Sequence, residues 1–243
     1  MLEKTDKGGT MLEKSSNSNI AVIMATLNEE LGIGPTIREL RDFVNDSYIL
    51  VVDGKSFDRT IEIAKEMSTD VVLQNGKGKG QAIDQGLKLL DPDTRYVVFI
   101  DADYTYPAEF IPKMIEVLEQ SPEVGMVIGN RFNHHFSFKS AMNDTFYAGN
   151  RFLAYAQHLL NGIKLSDPLS GLRVARAEIL RNWKPKSSGF DVEAEMNFFV
   201  ERRGYEIKEI PISYRQRMGK KKLKIRHGVT ILRRMMTESL GLS

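Results

Sequence analysis

The chain predicts an α/β fold with an open, mostly parallel sheet flanked by helices, and three observations carry that expectation. Short β-branched runs at 20–24, 48–52, 71–73, 96–100 and 124–128 lack polar alternation, as strands covered on both faces do. Segments with helical spacing separate them, giving a β-α-β-α order that calls for right-handed crossovers. The 243 residues, 42% hydrophobic and 27% charged, are enough for one sizeable core.

The elements follow in order. A polar stretch, 1–19, in which Met-Leu-Glu-Lys occurs at 1–4 and again at 11–14, is expected to be a disordered leader. After the first strand, Ile37, Leu40 and Val44 mark a helix. Ile61, Ala64 and Met67 mark the next, then Ile83, Leu87 and Leu90, then Phe110, Met114, Ile115 and Leu118. A helix over 145–161 ends at the Asn161-Gly162 stop signal. A turn at 166–171, a helix near 191–203 and a strand near 206–213 complete the less regular half. The last segment places Ile225, Val229, Leu232, Met236 and Leu240 on one stripe, with Arg226, Thr230, Arg233 and Arg234 elsewhere. This is a basic amphipathic helix suited either to a membrane surface or to packing on the parent domain. The expected organisation is a leader at 1–19, a domain at 20–224 and a C-terminal helix at 225–243.

Charge is unevenly spread. Residues 215–234 hold nine Lys and Arg and no acid, so the remaining 25 basic residues stand against all 32 acidic ones, a balance of −7 beneath a net +2. An anionic partner for the C-terminal region follows: a phosphate group, an acidic lipid surface or nucleic acid. No run approaches the roughly eighteen apolar residues of a membrane span, so any membrane contact is expected to be peripheral, on the cytoplasmic side. Without cysteine, disulfides, thiolate metal sites and a cysteine nucleophile are excluded.

In such sheets the ligand site lies beyond the carboxyl ends of the strands. There the chain puts Thr26-Leu27-Asn28-Glu29-Glu30, Asp53-Gly54-Lys55-Ser56-Phe57-Asp58, Gly76-Lys77-Gly78-Lys79-Gly80 and Asp101-Ala102-Asp103. Singly, each reads as caps, turns or solvated carboxylates. The sharpest is Asp101-Ala102-Asp103, where a buried strand ends in two carboxylates, an oxygen ligand pair for Mg2+ or Mn2+ alongside a substrate diphosphate. The histidines, at 134, 135, 158 and 227, form no zinc-type cluster, and His134-His135 reads as a solvated loop. Neither a dinucleotide Gly-x-Gly-x-x-Gly after the first strand nor a phosphate-loop Gly-x-x-x-x-Gly-Lys-Ser/Thr is present.

Taken in order, IMATLNEE, VVDGKSFDRTIEIAKE, GKGKGQAIDQGL, FIDADYTYPAEFIPKMIE, VIGNR, SDPLSGLRVARAEIL, GFDVEAEM and EIPISYRQRMGKKKL resemble the inverting family 2 glycosyltransferases of GT-A (Rossmann-like) fold, in the dolichol-phosphate mannose synthase-like branch, over about residues 20–224. The resemblance implies transfer of a hexose from a nucleotide-sugar (GDP-mannose, UDP-glucose or a UDP-N-acetylhexosamine) to a dolichyl or polyprenyl phosphate. It implies donor contacts from Ala25, Leu27, Glu29, Asp53, Lys79, Asp101, Ala102 and Asp103. The metal would sit on Asp101 and Asp103, with Thr105 as a third, weaker member where the family more often has glutamine. Acceptor phosphate would be held by Arg131, Arg215, Arg217 and Lys222, and Asp167 joins Asp101, Asp103 and Arg131 in the catalytic set, ordering the acceptor end.

A phosphomonoester, largely dianionic at neutral pH, attacks without a protein base. A hydroxyl acceptor would instead need a carboxylate such as Asp167, Asp191 or Glu193. From another class, a non-catalytic protein binding nucleotides or nucleic acid through its basic tail is a further reading, disfavoured by the lack of aromatic interleaving. Nucleotide-sugar, polyprenyl phosphate and a membrane surface, reached directly or through a membrane protein, are the expected partners, and nucleic acid is not among them.

Overall fold

The runs read as strands and helices fall along the chain as β1 (Ile20–Thr26), α1 (Ile33–Phe43), β2 (Tyr48–Asp53), α2 (Thr60–Glu66), β3 (Asp70–Leu73), α3 (Lys79–Leu89), β4 (Tyr96–Phe99), α4 (Ile111–Gln120) and β5 (Val124–Asn130). They are followed by α5 (Thr145–Asn161), β6 (Arg173–Arg176), the short α6 (Ala177–Leu180), α7 (Val192–Arg202), β7 (Glu206–Pro211) and α8 (Ile225–Ser239). This computed structural model describes residues 18–132, 145–220, 222 and 225–241, with only the backbone described at 145, 146, 225 and 226. The start of the leader, the pair His134-His135, and Lys221, Leu223 and Lys224 lie outside the described residues.

The strands form one sheet in the order β3-β2-β1-β4-β6-β5-β7. β1 to β4 run parallel, β7 is parallel to β5, and β6 alone runs antiparallel, between β4 and β5. The strands read as unbroken apolar runs because both faces are covered. Val22, Met24, Val51 and Val98 pack with Ile33, Ile37 and Leu40 of α1 and Met114 and Leu118 of α4. Ile23, Leu50, Val52 and Phe99 pack on the other side with Ile83 and Leu87 of α3 and Val192 and Met196 of α7. Each such aliphatic side chain removed from water contributes about 1.5–3 kcal/mol.

β6 has no counterpart among the sequence expectations. It is four residues long and begins and ends in arginine, and nothing in its spacing distinguishes it from the turn before it. Arg173 is buried at 1% exposure and is tolerated because its guanidinium donates to Ser170 O, Pro168 O and Asn197 Oδ1.

The stripe expected on α8 needs correction. Ile231 and Met235 are the residues that bury, against Leu153 and Ala156 of α5 and Ala194 of α7, with Leu232 packed at their edge. Val229, Met236 and Leu240 face outward instead. The docked face is chosen by the small residues opposite it and by Arg234, which pairs with Asp191 and Glu238. Spacing alone cannot separate two adjacent apolar stripes on one helix.

Candidate active site

Parallel pairing sets Thr26 beside Asp53, so the loops after β1 and β2 emerge together. Asp53 is fully buried and knits them. Its Oδ1 accepts from Ser56 N at 2.7 Å, and its Oδ2 accepts from Thr26 Oγ1 at 2.9 Å and Ser56 Oγ at 2.7 Å. Asn28, in the left-handed region at φ 52°, ties the same loops by accepting from Phe57 N and donating its own N–H to Ser56 Oγ. This tie holds Leu27 and Glu29 against the cavity.

Asp101 follows β4 and meets Lys79 at the start of α3, Nζ to Oδ1 2.7 Å, and the same ammonium reaches Glu193 Oε1 on α7 at 2.7 Å. Lys79 is drawn to this position by the glycines around it. Gly78 has φ +90°, and a Cβ there or at Gly80 would strike the Ser188 or Ser187 carbonyl at 2.0 and 1.9 Å. The two glycines therefore let the start of α3 pack against the segment leading into α7. Burial would raise the Asp101 pKa, but the Lys79 charge and hydrogen bond outweigh it and hold the carboxyl below its usual range. Asp103 goes the other way, pushed up by burial and by the charge of Asp101. Its Oδ1 accepts from Thr105 Oγ1 at 2.6 Å, and its Oδ2 accepts from Arg217.

The cations expected at the acceptor phosphate come from the residue after β5 and from the segment after β7, and each has a carboxylate partner. Arg131 donates through N, Nε and Nη2 to Asp167 at 3.0, 2.7 and 2.6 Å, with the rings of Tyr106, Phe132 and Tyr214 around its guanidinium. Arg215 is bidentate to Glu39 at 2.6 and 2.7 Å and lies over the Tyr104 ring. Arg217 bridges Asp103 and Glu29, and Lys222 joins it on Glu29. Burial is the largest influence on Glu29 and leaves its pKa above the usual value despite these two cations.

All of this surrounds one cavity of about 1460 Å³. Ala25, Leu27, Glu29, Lys79, Asp101, Ala102 and Asp103 line it, as do Arg131, Arg215, Arg217 and Lys222. Asp53, Thr105 and Asp167 stand behind that lining, bonded to residues that belong to it or to its loops. Asp191 and Glu193, two of the three carboxylates considered for a hydroxyl acceptor, also line it, held by Arg234 and Lys79. Sequence reasoning missed the aromatic wall of Tyr106 and Tyr214, the 186–190 segment, and the contribution of Arg233 and Arg234. The glycine pair at 78 and 80 was the available signal for that segment, because close backbone approach is what glycine permits in such a place.

Whether the carboxylates suit a divalent cation is a question of donor set. Two hard oxygen donors meet at the cavity, and each already carries a positive side chain. Among the described residues no cluster of three or more His, Cys, Asp or Glu stands ready for a metal. The pair therefore fits Mg2+ or Mn2+ as a partial set, completed by diphosphate oxygens and water.

The model of the family described as "Glycosyl transferase family 2" matches residues 21–183. The chain belongs to that family. This glycosyltransferase is 35% identical to a dolichyl-phosphate hexose transferase of Haloferax volcanii over 84% of its own length and 86% of the relative's. It is 28% identical to an undecaprenyl-phosphate mannosyltransferase of Micrococcus luteus, over 84% and 87%. Against two other Haloferax volcanii relatives it spans only 62% and 53% of their length. Its fold superimposes on glucosyl-3-phosphoglycerate synthase from Mycobacterium tuberculosis, solved with Mg2+ and UDP, with a TM-score of 0.70 at 23% identity, covering 91% of this chain and 78% of that one. The GT-A expectation is thereby met, and the family match ends ahead of α7, the basic 215–222 segment and α8.

Proposed function

We propose that this glycosyltransferase moves a hexose from a nucleotide-sugar to a polyprenyl phosphate, with inversion at the anomeric carbon. The observation that carries the reading is one cavity that presents Asp101 and Asp103 together with Arg131, Arg215, Arg217 and Lys222. A reaction between two anionic molecules needs this combination. Donor residues Ala25, Leu27 and Glu29 line the nucleotide end. Lys79 orients Asp101, and the basic residues gather the acceptor phosphate by charge-assisted hydrogen bonds. Bound Mg2+ or Mn2+ would offset charge developing on the leaving diphosphate, held by Asp101 and Asp103. Asp167 keeps Arg131 in place by a bidentate contact.

A phosphate acceptor is favoured over a hydroxyl because Asp167, Asp191 and Glu193 each already accept from a cation, at 2.6, 3.4 and 2.7 Å, whereas a phosphate dianion needs no base. The names of the relatives from Haloferax volcanii and Micrococcus luteus point the same way.

Among the described residues no helix is long and apolar enough to cross a membrane. A peripheral position on the cytoplasmic face suits the acceptor, and two outward apolar stripes support membrane contact: Phe152, Tyr155 and Leu159 on α5, and Val229, Met236 and Leu240 on α8. Both helices also line the cavity, through Asn150 and through Thr230, Arg233 and Arg234.

The test is release of nucleoside diphosphate from GDP-mannose, UDP-glucose and UDP-N-acetylglucosamine, with Mg2+ or Mn2+, with polyprenyl phosphate, with 3-phosphoglycerate, and with neither. Glycolipid formed from one donor only when lipid and metal are both present is the expected result. Turnover with 3-phosphoglycerate and none with lipid would move the acceptor to a small phosphate.

A further inference from the structure

We infer that Arg217 is an exchangeable internal cation: it occupies the position on Asp103 that a divalent cation needs, so that metal and nucleotide enter together and the 214–220 segment is a self-blocking strap. The inference rests on the proposed role of Asp101 and Asp103 as metal carboxylates and adds to it an order of events.

The two carboxylates are neutralised in different ways. Lys79 is built in: it starts a helix, is wedged by Gly78 and Gly80, and has two carboxylate partners at 2.7 Å. Arg217 comes from a segment with no regular structure that turns at Gly219, φ +91°. The strap lies directly on the carboxylate turn, with Met218 N donating to Asp103 O at 3.1 Å and Arg215 N to Thr105 O at 3.0 Å.

The closed contact is incompletely satisfied. Arg217 Nε and Glu29 Oε2 are both buried without a hydrogen-bond partner, although the two side chains are bonded to each other. Leaving such atoms unpaired destabilises the arrangement that contains them, so the strap is held by charge more than by a complete set of bonds. A divalent cation on Asp103 Oδ2 would compete with the Arg217 guanidinium for that oxygen's negative charge and repel it. That repulsion favours release of Arg217 from Asp103 as a metal ion binds, and the guanidinium then becomes available to the anionic groups in the cavity. A nucleoside diphosphate favours the exchange twice, by supplying oxygens to complete the metal set and by giving Arg217 a new partner. Metal and nucleotide affinities are therefore coupled through one side chain, and the coupling is reciprocal.

The experiment uses the full chain. Mn2+ binding is followed by electron paramagnetic resonance with no nucleotide, with UDP and with GDP, for the unaltered protein, Arg217→Gln and Arg217→Lys. Without nucleotide, Arg217→Gln should bind Mn2+ about tenfold more tightly than the unaltered protein, and Arg217→Lys should restore the weaker binding. The gain in Mn2+ affinity on adding nucleotide should be large in the unaltered protein and small in Arg217→Gln. Hydrogen exchange at Met218 N–H provides a reading without metal or turnover, and Asp103→Asn alone should accelerate it. Equal or weaker Mn2+ binding by Arg217→Gln, with Met218 exchange unmoved by Asp103→Asn, would overturn the strap while leaving the metal role of the carboxylates standing. Failure of the unaltered protein to bind Mn2+ even with UDP or GDP would overturn both.

Discussion

The ammonium of Lys79 lies 2.7 Å from Asp101 Oδ1 and 2.7 Å from Glu193 Oε1, joining the end of β4 to the first turn of α7. Removing it leaves two carboxylates facing one another with no cation between them. Lys79→Met should cost about 3–5 kcal/mol of stability, the range for breaking a largely buried ion pair. Lys79→Arg should recover most of that stability but little activity, since a planar fork cannot reproduce a point contact to both acids. Urea unfolding of the two variants beside their turnover separates the effects.

Asp103→Asn is expected to abolish metal-dependent transfer while leaving the fold intact. Thr105 Oγ1 still has an oxygen to donate to, and Arg217 keeps its bond to Glu29. The stability change should stay near about 1 kcal/mol, the scale of one altered hydrogen bond. Glycolipid formation titrated with Mn2+ is the readout, and full activity in this variant would remove the metal from the mechanism.

Most of this site could be read from sequence because its residues sit directly after strands whose apolar runs are unmistakable. Asp101 and Asp103 follow β4, and Glu29 and Lys79 follow the loops of β1 and β3. Other parts depend on contacts between distant segments. Glu193 meets Lys79 across more than a hundred residues, and Arg217 meets Asp103 across 114. Spacing within a helix or strand carries no record of such pairings. β6 was illegible for a related reason: Arg173 is buried only because Pro168, Ser170 and Asn197 supply acceptors, which no local pattern announces. The stripe on α8 failed because its burying face is decided by Ala156 and Ala194 opposite it.

Asp167 carries Arg131 on three hydrogen bonds and is itself fully buried. Asp167→Ala should destabilise the protein by about 3–5 kcal/mol, because a guanidinium among Tyr106, Phe132 and Tyr214 loses its counter-charge. Asp167→Asn keeps acceptor oxygen but no charge, so a smaller loss and a raised KM for the lipid phosphate are expected. Steady-state kinetics against acceptor concentration checks the second point.

Glu209 on β7 accepts from the backbone N–H of Ser166 at 2.8 Å and Asp167 at 2.7 Å, yet burial dominates and raises its pKa above the ordinary 4.5. A carboxyl whose folded pKa is raised contributes stability that is fully present below the unfolded value and is lost as pH climbs through the folded one. Glu209→Gln lacks that titration. The unaltered protein's advantage in Tm over Glu209→Gln should therefore be greatest below pH 4.5 and shrink as pH rises above it. An advantage that grew with pH would mean that the two backbone donors outweigh burial.

Phe152, Tyr155 and Leu159 are 59%, 64% and 70% exposed and recur at three- and four-residue steps along α5, so one face of that helix offers apolar side chains to its surroundings. If that face meets the lipid in which a polyprenyl phosphate is dissolved, charge there should weaken membrane binding without weakening the fold. Phe152→Glu with Leu159→Glu should leave the Tm unchanged, because neither side chain contributes to the core. Sedimentation with vesicles containing anionic lipid should show partitioning reduced by about tenfold or more, since each apolar side chain removed from water is worth about 1.5–3 kcal/mol. Binding of the unaltered protein should fall with added salt, since a basic residue close to an acidic surface contributes about 1 kcal/mol. Turnover of a short, water-soluble polyprenyl phosphate should survive the double substitution, because no cavity-lining group has changed. Loss of that turnover would place the face inside the acceptor site, and vesicle binding unaffected by the charges would leave α5 without a membrane role.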